Sequence, residues 1–201
     1  MPYVLCLVCA MPANASDCIQ FKKTPTVNIS APIWNKSVVQ PLAPMDLLHG
    51  VVIATFSEEY SLTIEANPVS GGYCVVLSAV DANVGYTEFL VKIDSRNRPG
   101  SCAYDAILAH EQMHISAHLS VLDDSGQDIM RSVAAAANSI MPIFVPAGDG
   151  FDRALDLMQR GMQAHPDIVL MKRKINAENE IRNRRIDMQD DGRAVRACLE
   201  K

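Results

Sequence analysis

Residues 98–122 read RPGSCAYDAILAHEQMHISAHLSVL, and the character of the chain changes within them. Arg98-Pro99-Gly100 is a break, since Pro has no amide to give a strand ladder and Gly favours a turn. Ser101 is placed as a helix N-cap, and Ala, Leu, Glu, Gln and Met are frequent from there to Leu122, a helix-forming composition. With His110 at 0° and 100° per residue, Tyr104, Leu108, Ile115, Leu119 and Leu122 fall within about 40° of one axis, a stripe expected to face the core.

Working outward, the period before the break is two. Tyr60, Leu62 and Ile64 alternate, as do Tyr73, Val75 and Leu77, with Gly71-Gly72 between the two sets. A third run at 87–93 follows a turn-like stretch at 81–85, so the spacing predicts three half-buried antiparallel strands in a small meander. Residues 19–50 hold Pro25, Pro32, Pro41 and Pro44 and read as a strand around Val27 and Ile29 followed by a meandering arm. After the break, Gly126 or Asp123-Asp124-Ser125 bends or ends the first helix and 127–140 resumes it. A loop at 142–150 and two further helices at 151–164 and 167–191 follow. The class is therefore α+β, with a small N-terminal antiparallel sheet followed by a C-terminal set of helices. One domain is expected over 16–201, its sheet part at 16–99 and its helical part at 100–201.

Composition agrees with one domain and narrows the function. The 201 residues are 49% hydrophobic, 20% charged and 5% aromatic, which excludes a disordered tail, a collagen-like repeat and a coiled coil. A formal net charge of −5 argues against a protein that coats nucleic acid or an anionic membrane. Nine of the 18 Lys+Arg nevertheless lie in 172–201, a pattern read as a helix laced with ion pairs. The cluster Met158, Met162 and Met171 reads as adaptable core.

At the N-terminus an apolar run at 3–11 is too short to span a bilayer and is followed by Ala13-Asn14-Ala15, a small-x-small cleavage site. Residues 1–15 are accordingly read as a signal peptide, and the protein as periplasmic or secreted, with no stable membrane insertion. Removal of that segment takes Cys6 and Cys9 with it. Cys18, Cys74, Cys102 and Cys198 remain, an even number that suggests two disulfides with three possible connectivities. The preferred pairing joins Cys74 to Cys102, closing a sheet-to-helix segment, and Cys18 to Cys198, joining the two ends.

The residues that carry chemistry sit in the middle of the best-defined helix: His110-Glu111-Gln112-Met113-His114, an H-E-x-x-H. Histidines four apart share a helical face, so both imidazoles can reach one Zn²⁺ at about 2.0–2.1 Å. Glu111, 100° round from His110, lies at the margin of the apolar stripe, where it can hold a metal-activated water as general base. Five His and eight Glu in 201 residues would produce this spacing by chance in about 0.5% of such chains, which makes accident a poor explanation.

The segment resembles the active-site helix of the zincin metallopeptidases. The resemblance implies zinc ligation by His110 and His114, catalysis by Glu111, a zincin-like fold and a peptide or protein substrate. A short sheet, a cysteine just before the helix and the run CAYDAILAHEQMHISAHL are also similar to bacterial families described only as predicted secreted zinc-dependent proteases. About a tenth of the chain carries the likeness.

The third ligand departs from the pattern. Metzincins place a Gly after the second histidine, whereas Ile115-Ser116-Ala117 stand here. His118 is eight residues and about 12 Å along the axis from His110, too far for an unbroken helix to bring all three to one ion. Gluzincins take a glutamate from a later helix, where Glu178 and Glu180 flank an apolar face of Leu170, Ala177, Ile181 and Met188. Asp187 and His165 are weaker candidates. The chain is thus expected to be a secreted zinc metallopeptidase, its third ligand among Glu180, Glu178 and His118. The alternative is a non-catalytic, disulfide-braced envelope protein with a vestigial or structural metal site.

Overall fold

In a computed structural model, the structure describes residues 15–31, 38–44, 49–190 and 192–199. The expected signal peptide at 1–15 lies outside them, save for Ala15. A short 3₁₀ segment (Ala15–Phe21) leads into β1 (Thr26–Ser30), β2 (Val38–Leu42), β3 (Gly50–Val69) and β4 (Gly72–Asp94). Helices α1 (Cys102–Asp124) and α2 (Gly126–Ser139) follow, then β5 (Ile143–Pro146), α3 (Asp152–Gln163), α4 (Pro166–Asp190) and α5 (Arg193–Leu199). The protein is a mixed α and β structure with one five-stranded sheet.

The sheet is built on a hairpin far longer than the alternating runs suggest. β3 and β4 pair antiparallel from Gly50↔Ile93 to Val69↔Gly72, turning through Ser70 and Gly71. Gly71 has φ +80°, a left-handed conformation that glycine adopts without a Cβ clash. A Cβ on Gly72 would lie 2.1 Å from the Val145 carbonyl oxygen, so this glycine is what lets β5 approach. The expected turn at 81–85 does not exist, and the third run is the continuation of β4. Its turn-prone residues are absorbed by pairing on both edges: Asp81 stands opposite Ser61 of β3 and Asn28 of β1, and accepts a hydrogen bond from Asn28 Nδ2 at 2.7 Å. Tertiary pairing here overrides local propensity.

The expectation of an antiparallel sheet is corrected. β4 is the central strand. β3 runs along one edge, while β5, β1 and β2 pair end to end along the other, β5 antiparallel and β1 and β2 parallel to it. The stretch 142–150, expected to be a loop, contributes β5 opposite Gly72–Val75.

Two apolar clusters divide the interior. One packs the first half of β4 against α2, α3 and α4, with Val75, Leu77, Val80, Val133, Met158, Met162, Ile168 and Ile175 buried. The methionines at 158, 162 and 171 all belong to it. The second packs Tyr86, Phe89, Val91 and Ile93 against Ala103, Ile107 and Ile115 of α1 and Val195 of α5. Helix α1 begins as expected, with Ser101 Oγ accepting from the Tyr104 amide at 3.2 Å. Its buried line, however, is Ala103, Ile107, Glu111 and Ile115, while Tyr104, Leu108, Leu119 and Leu122 flank it half-buried. In α4 the expected apolar face is the exposed one: Leu170, Ile181 and Met188 face solvent, and Ile168, Met171, Ile175 and Asn179 are buried.

The disulfide connectivity also differs from expectation. Cys18 joins Cys74 and Cys102 joins Cys198, with Cα–Cα separations of 5.2 and 5.5 Å. Cys18 and Cys198 do not meet. The 3₁₀ segment lies against β4 and β5, and α5 lies against α1, so each terminal cysteine finds the nearer partner on the element it covers. The bridges span 56 and 96 residues, and each is expected to contribute about 2–4 kcal/mol by restricting the unfolded chain. Urea unfolding with and without reductant should show that loss, and two Cys→Ser pairs should apportion it. No helix among the described residues is long and apolar enough to cross a membrane.

Candidate metal centre

Helices α1 and α4 pack side by side, each carrying a line of polar residues at i, i+4 and i+8. On α1 the line is His110, His114 and His118. On α4 it is Asn179, Asn183 and Asp187. This spacing stacks three side chains on one helical face, and antiparallel packing sets the lines against each other in reverse order. Asp187 meets His110 and His114, Asn183 meets His114 and His118, and Asn179 and His118 both meet Tyr86 of β4.

At one end, three ligand atoms converge. His114 Nε2 lies 3.1 Å from His110 Nε2, and Asp187 Oδ1 lies 3.3 Å from His110 Nε2 and 3.2 Å from His114 Nε2. Ligands about 2.0–2.1 Å from a tetrahedral zinc are separated by about 3.3 Å, so the triangle fits one face of such a tetrahedron. His110, His114 and Asp187 are also the one group of three potential metal ligands among the described residues. Asp187 is 61% exposed, so the cluster reaches the surface on the α4 side.

Glu111 lies in the buried line of α1 rather than at its margin, and is only 4% exposed. Its surroundings are unusually close. A Cβ on Gly50, the first residue of β3, would lie 2.5 Å from Glu111 Oε1 and 2.6 Å from Ile107 Cγ2. The missing side chain at Gly50 is therefore the space that Glu111 occupies. Burial pushes the Glu111 carboxyl up to about 7, with the Asp187 charge adding to the rise and His114 opposing it. A carboxyl in that range can exchange protons near neutrality.

The other candidates for third ligand are engaged elsewhere. Glu178 Oε1 accepts from Arg182 Nε at 2.9 Å, and Arg182 reaches Ser120 Oγ and Asp124 Oδ2 at 2.8 and 2.7 Å, tying α4 to the end of α1. Glu180 is exposed, one residue off the line that faces α1. His118 has both ring nitrogens in use, Nδ1 at 3.1 Å from Tyr86 Oη and Nε2 at 3.3 Å from Asn183 Nδ2. Burial pushes His118 below the usual histidine range. His165 stands at the start of α4, where its Nδ1 accepts the Asp167 amide at 3.3 Å, about 30 Å along the helix from Asp187. The group that meets the histidines is thus Asp187, the weaker sequence candidate. Asn179, Asn183 and Tyr86 had no place in the sequence reading, although the matching i, i+4, i+8 spacing on α1 and α4 was there to be read.

Gly50→Ala is expected to force Glu111 out of its slot while leaving the two histidines and Asp187 in place. Displacements of about 1 Å at a reacting group cost on the order of 10²-fold in rate. If the site carries the zinc peptidase chemistry proposed below, the signature is a lowered turnover number with unchanged zinc content, read by peptide hydrolysis and metal analysis of the same sample. Compared with protein-family models, curated proteins and solved structures, the chain matches none.

Proposed function

We propose that the protein is an extracytoplasmic zinc metallopeptidase of zincin-like kind, with His110, His114 and Asp187 as metal ligands and Glu111 as general base. The observation that carries this reading is the triangle of His110 Nε2, His114 Nε2 and Asp187 Oδ1, 3.1–3.3 Å on each side, beside a buried glutamate. A catalytic zinc is held by three protein ligands and keeps its fourth position for water or substrate, whereas a structural zinc is closed by four; the three donors found here match the first pattern.

When bound, zinc would supply Lewis-acid polarisation of the scissile carbonyl and would acidify a coordinated water. The chain's own residues do the rest. Asp187 would add a carboxylate donor to the two neutral imidazoles and complete the donor set from a second helix. Glu111 takes the proton of the attacking water and delivers it to the leaving amine, with its raised proton affinity suited to both transfers. Gly50 holds the glutamate in place through its lack of a side chain.

A peptide is the favoured substrate. Strand β3 pairs only with β4 among the described residues and starts at Gly50, against Glu111. Its other edge would offer backbone donors and acceptors to an extended chain beside the site. Two disulfides support an oxidising compartment, periplasmic or extracellular.

The test is metal content with activity. Purified protein is expected to hold about one zinc per chain, to cleave a quenched-fluorescence peptide library, to lose that activity to a chelator and to regain it with added zinc. Protein that binds no zinc, or whose cleavage survives chelation, would refute the reading.

A further inference from the structure

Asn183 stands between two imidazoles and faces each with a different atom. Its Oδ1 lies 3.0 Å from His114 Nδ1, and its Nδ2 lies 3.3 Å from His118 Nε2. An amide oxygen only accepts and an amide nitrogen only donates. The contact at His114 therefore requires a proton on Nδ1, which leaves the Nε2 lone pair free. That is the nitrogen lying 3.1 Å from His110 Nε2 and 3.2 Å from Asp187 Oδ1.

The hydrogen-bond chain continues to the sheet. Asn183 Nδ2–H donates to His118 Nε2, so His118 carries its proton on Nδ1 and donates it to Tyr86 Oη at 3.1 Å. Asn179 Nδ2 donates to the same phenol oxygen at 2.6 Å. Tyr86 is buried and fixed, its ring packed against Phe56, Phe89 and His118. A neutral His118, which its burial favours, is the form that can accept from Asn183 at one nitrogen and donate to Tyr86 at the other.

We propose that Asn183 is a positioning residue that holds His114 in its Nδ1–H tautomer with Nε2 presented to the metal, and that His118 and Tyr86 hold the Asn183 amide in the orientation this requires. This rests on the zinc reading above for its purpose but not for its observable. His118 thereby acquires a role that its place in the motif helix does not suggest: it acts through Asn183, one step removed from the ion. Hydrogen bonding of the second ring nitrogen fixes the tautomer and orientation of a metal-ligating histidine, and its loss costs about 10–100-fold in metal affinity.

The experiment uses full-length protein, the variants Asn183→Leu and Asn183→Asp, and two readouts. The first is the ¹⁵N tautomer pattern of His114 in zinc-free protein. The second is zinc affinity by competition with a chromophoric chelator. Wild type is expected to show His114 as the Nδ1–H tautomer before any metal is added. Asn183→Leu should release it to Nε2–H and weaken zinc binding by about 10–100-fold. Asn183→Asp, whose carboxylate still accepts from Nδ1–H, should keep the tautomer and stay within about threefold of wild-type affinity, well inside the loss expected of Leu. An Nε2–H tautomer in wild type overturns the proposal, as does a tautomer that Leu leaves unchanged or an Asp variant as weak as Leu. Should the Leu variant fail to fold, the wild-type and Asp spectra decide. Wild type with the expected tautomer but no affinity for zinc would refute the metallopeptidase reading and leave the orienting role of Asn183 standing.

Discussion

Glu111→Gln is expected to lower peptide hydrolysis by about 10²–10⁴-fold, the range general acid–base catalysis contributes, with zinc content unchanged. Gln has nearly the same shape, so it fits the slot made by Gly50 and Ile107 and leaves His110, His114 and Asp187 undisturbed. It cannot take a proton from water, however, and so isolates the base from the metal site. Stability gives a second signature of opposite sign. The folded Glu111 carboxyl titrates at about 7, above the roughly 4.3 of an unfolded Glu. Between those values the folded state binds more protons, so the contribution of this carboxyl favours the zinc-free fold in acid and is lost as pH rises toward 7. Zinc-free Glu111→Gln should therefore melt no lower than zinc-free wild type at pH 8. A variant that retains wild-type hydrolysis would remove Glu111 from the mechanism. One that is inactive and also melts far lower would mean that the glutamate holds the fold instead.

The parts of this arrangement that the sequence made legible are those set by local chemistry. Ser101 caps α1 where it was expected to, because a serine after Pro-Gly and before a helix-forming run has a specific hydrogen bond to make. The i, i+4 histidines and the intervening glutamate sit on α1 because the helix is set by that same run. What was not legible depends on burying polar groups. The aliphatic residues of α1 centre its helical wheel on Leu108, Ile115, Leu119 and Leu122, yet the helix is rotated so that Glu111 and the histidines lie in or beside its buried line. Helix α4 shows the same rotation. Leu170, Ile181 and Met188 look like a core face, but that side is exposed because Asn179, Asn183 and Asp187 must face α1. Apolar periodicity reports the core only where the interior is apolar, and at this site it is not. The disulfides failed for a different reason. Connectivity depends on where α5 and the 3₁₀ segment dock, and spacing along the chain carries no information about docking.

Asp187→Ala is expected to lower zinc affinity by more than the roughly 100-fold that marks the upper end for loss of an outer hydrogen-bond partner, because it removes a ligand from a three-ligand set. Asp187 comes from the far end of α4, 61% exposed, and nothing in the local sequence commits it to the site. What brings it to the histidines is the antiparallel packing of α1 on α4, which Arg182 fastens through Asp124 and Ser120 at the end of α1. Asp187→Ala should therefore abolish chelator-sensitive activity without destabilising the fold, since an exposed side chain is removed and neither apolar cluster is touched. Glu178→Ala and Glu180→Ala, the carboxylates that motif analogy favoured, should bind zinc as wild type does. Competition titration of the three variants separates the two assignments. If Asp187→Ala keeps its zinc and either glutamate variant loses it, the helices meet in a different register in solution, and the pairing of Asn183 with His114 and His118 would have to be abandoned with it.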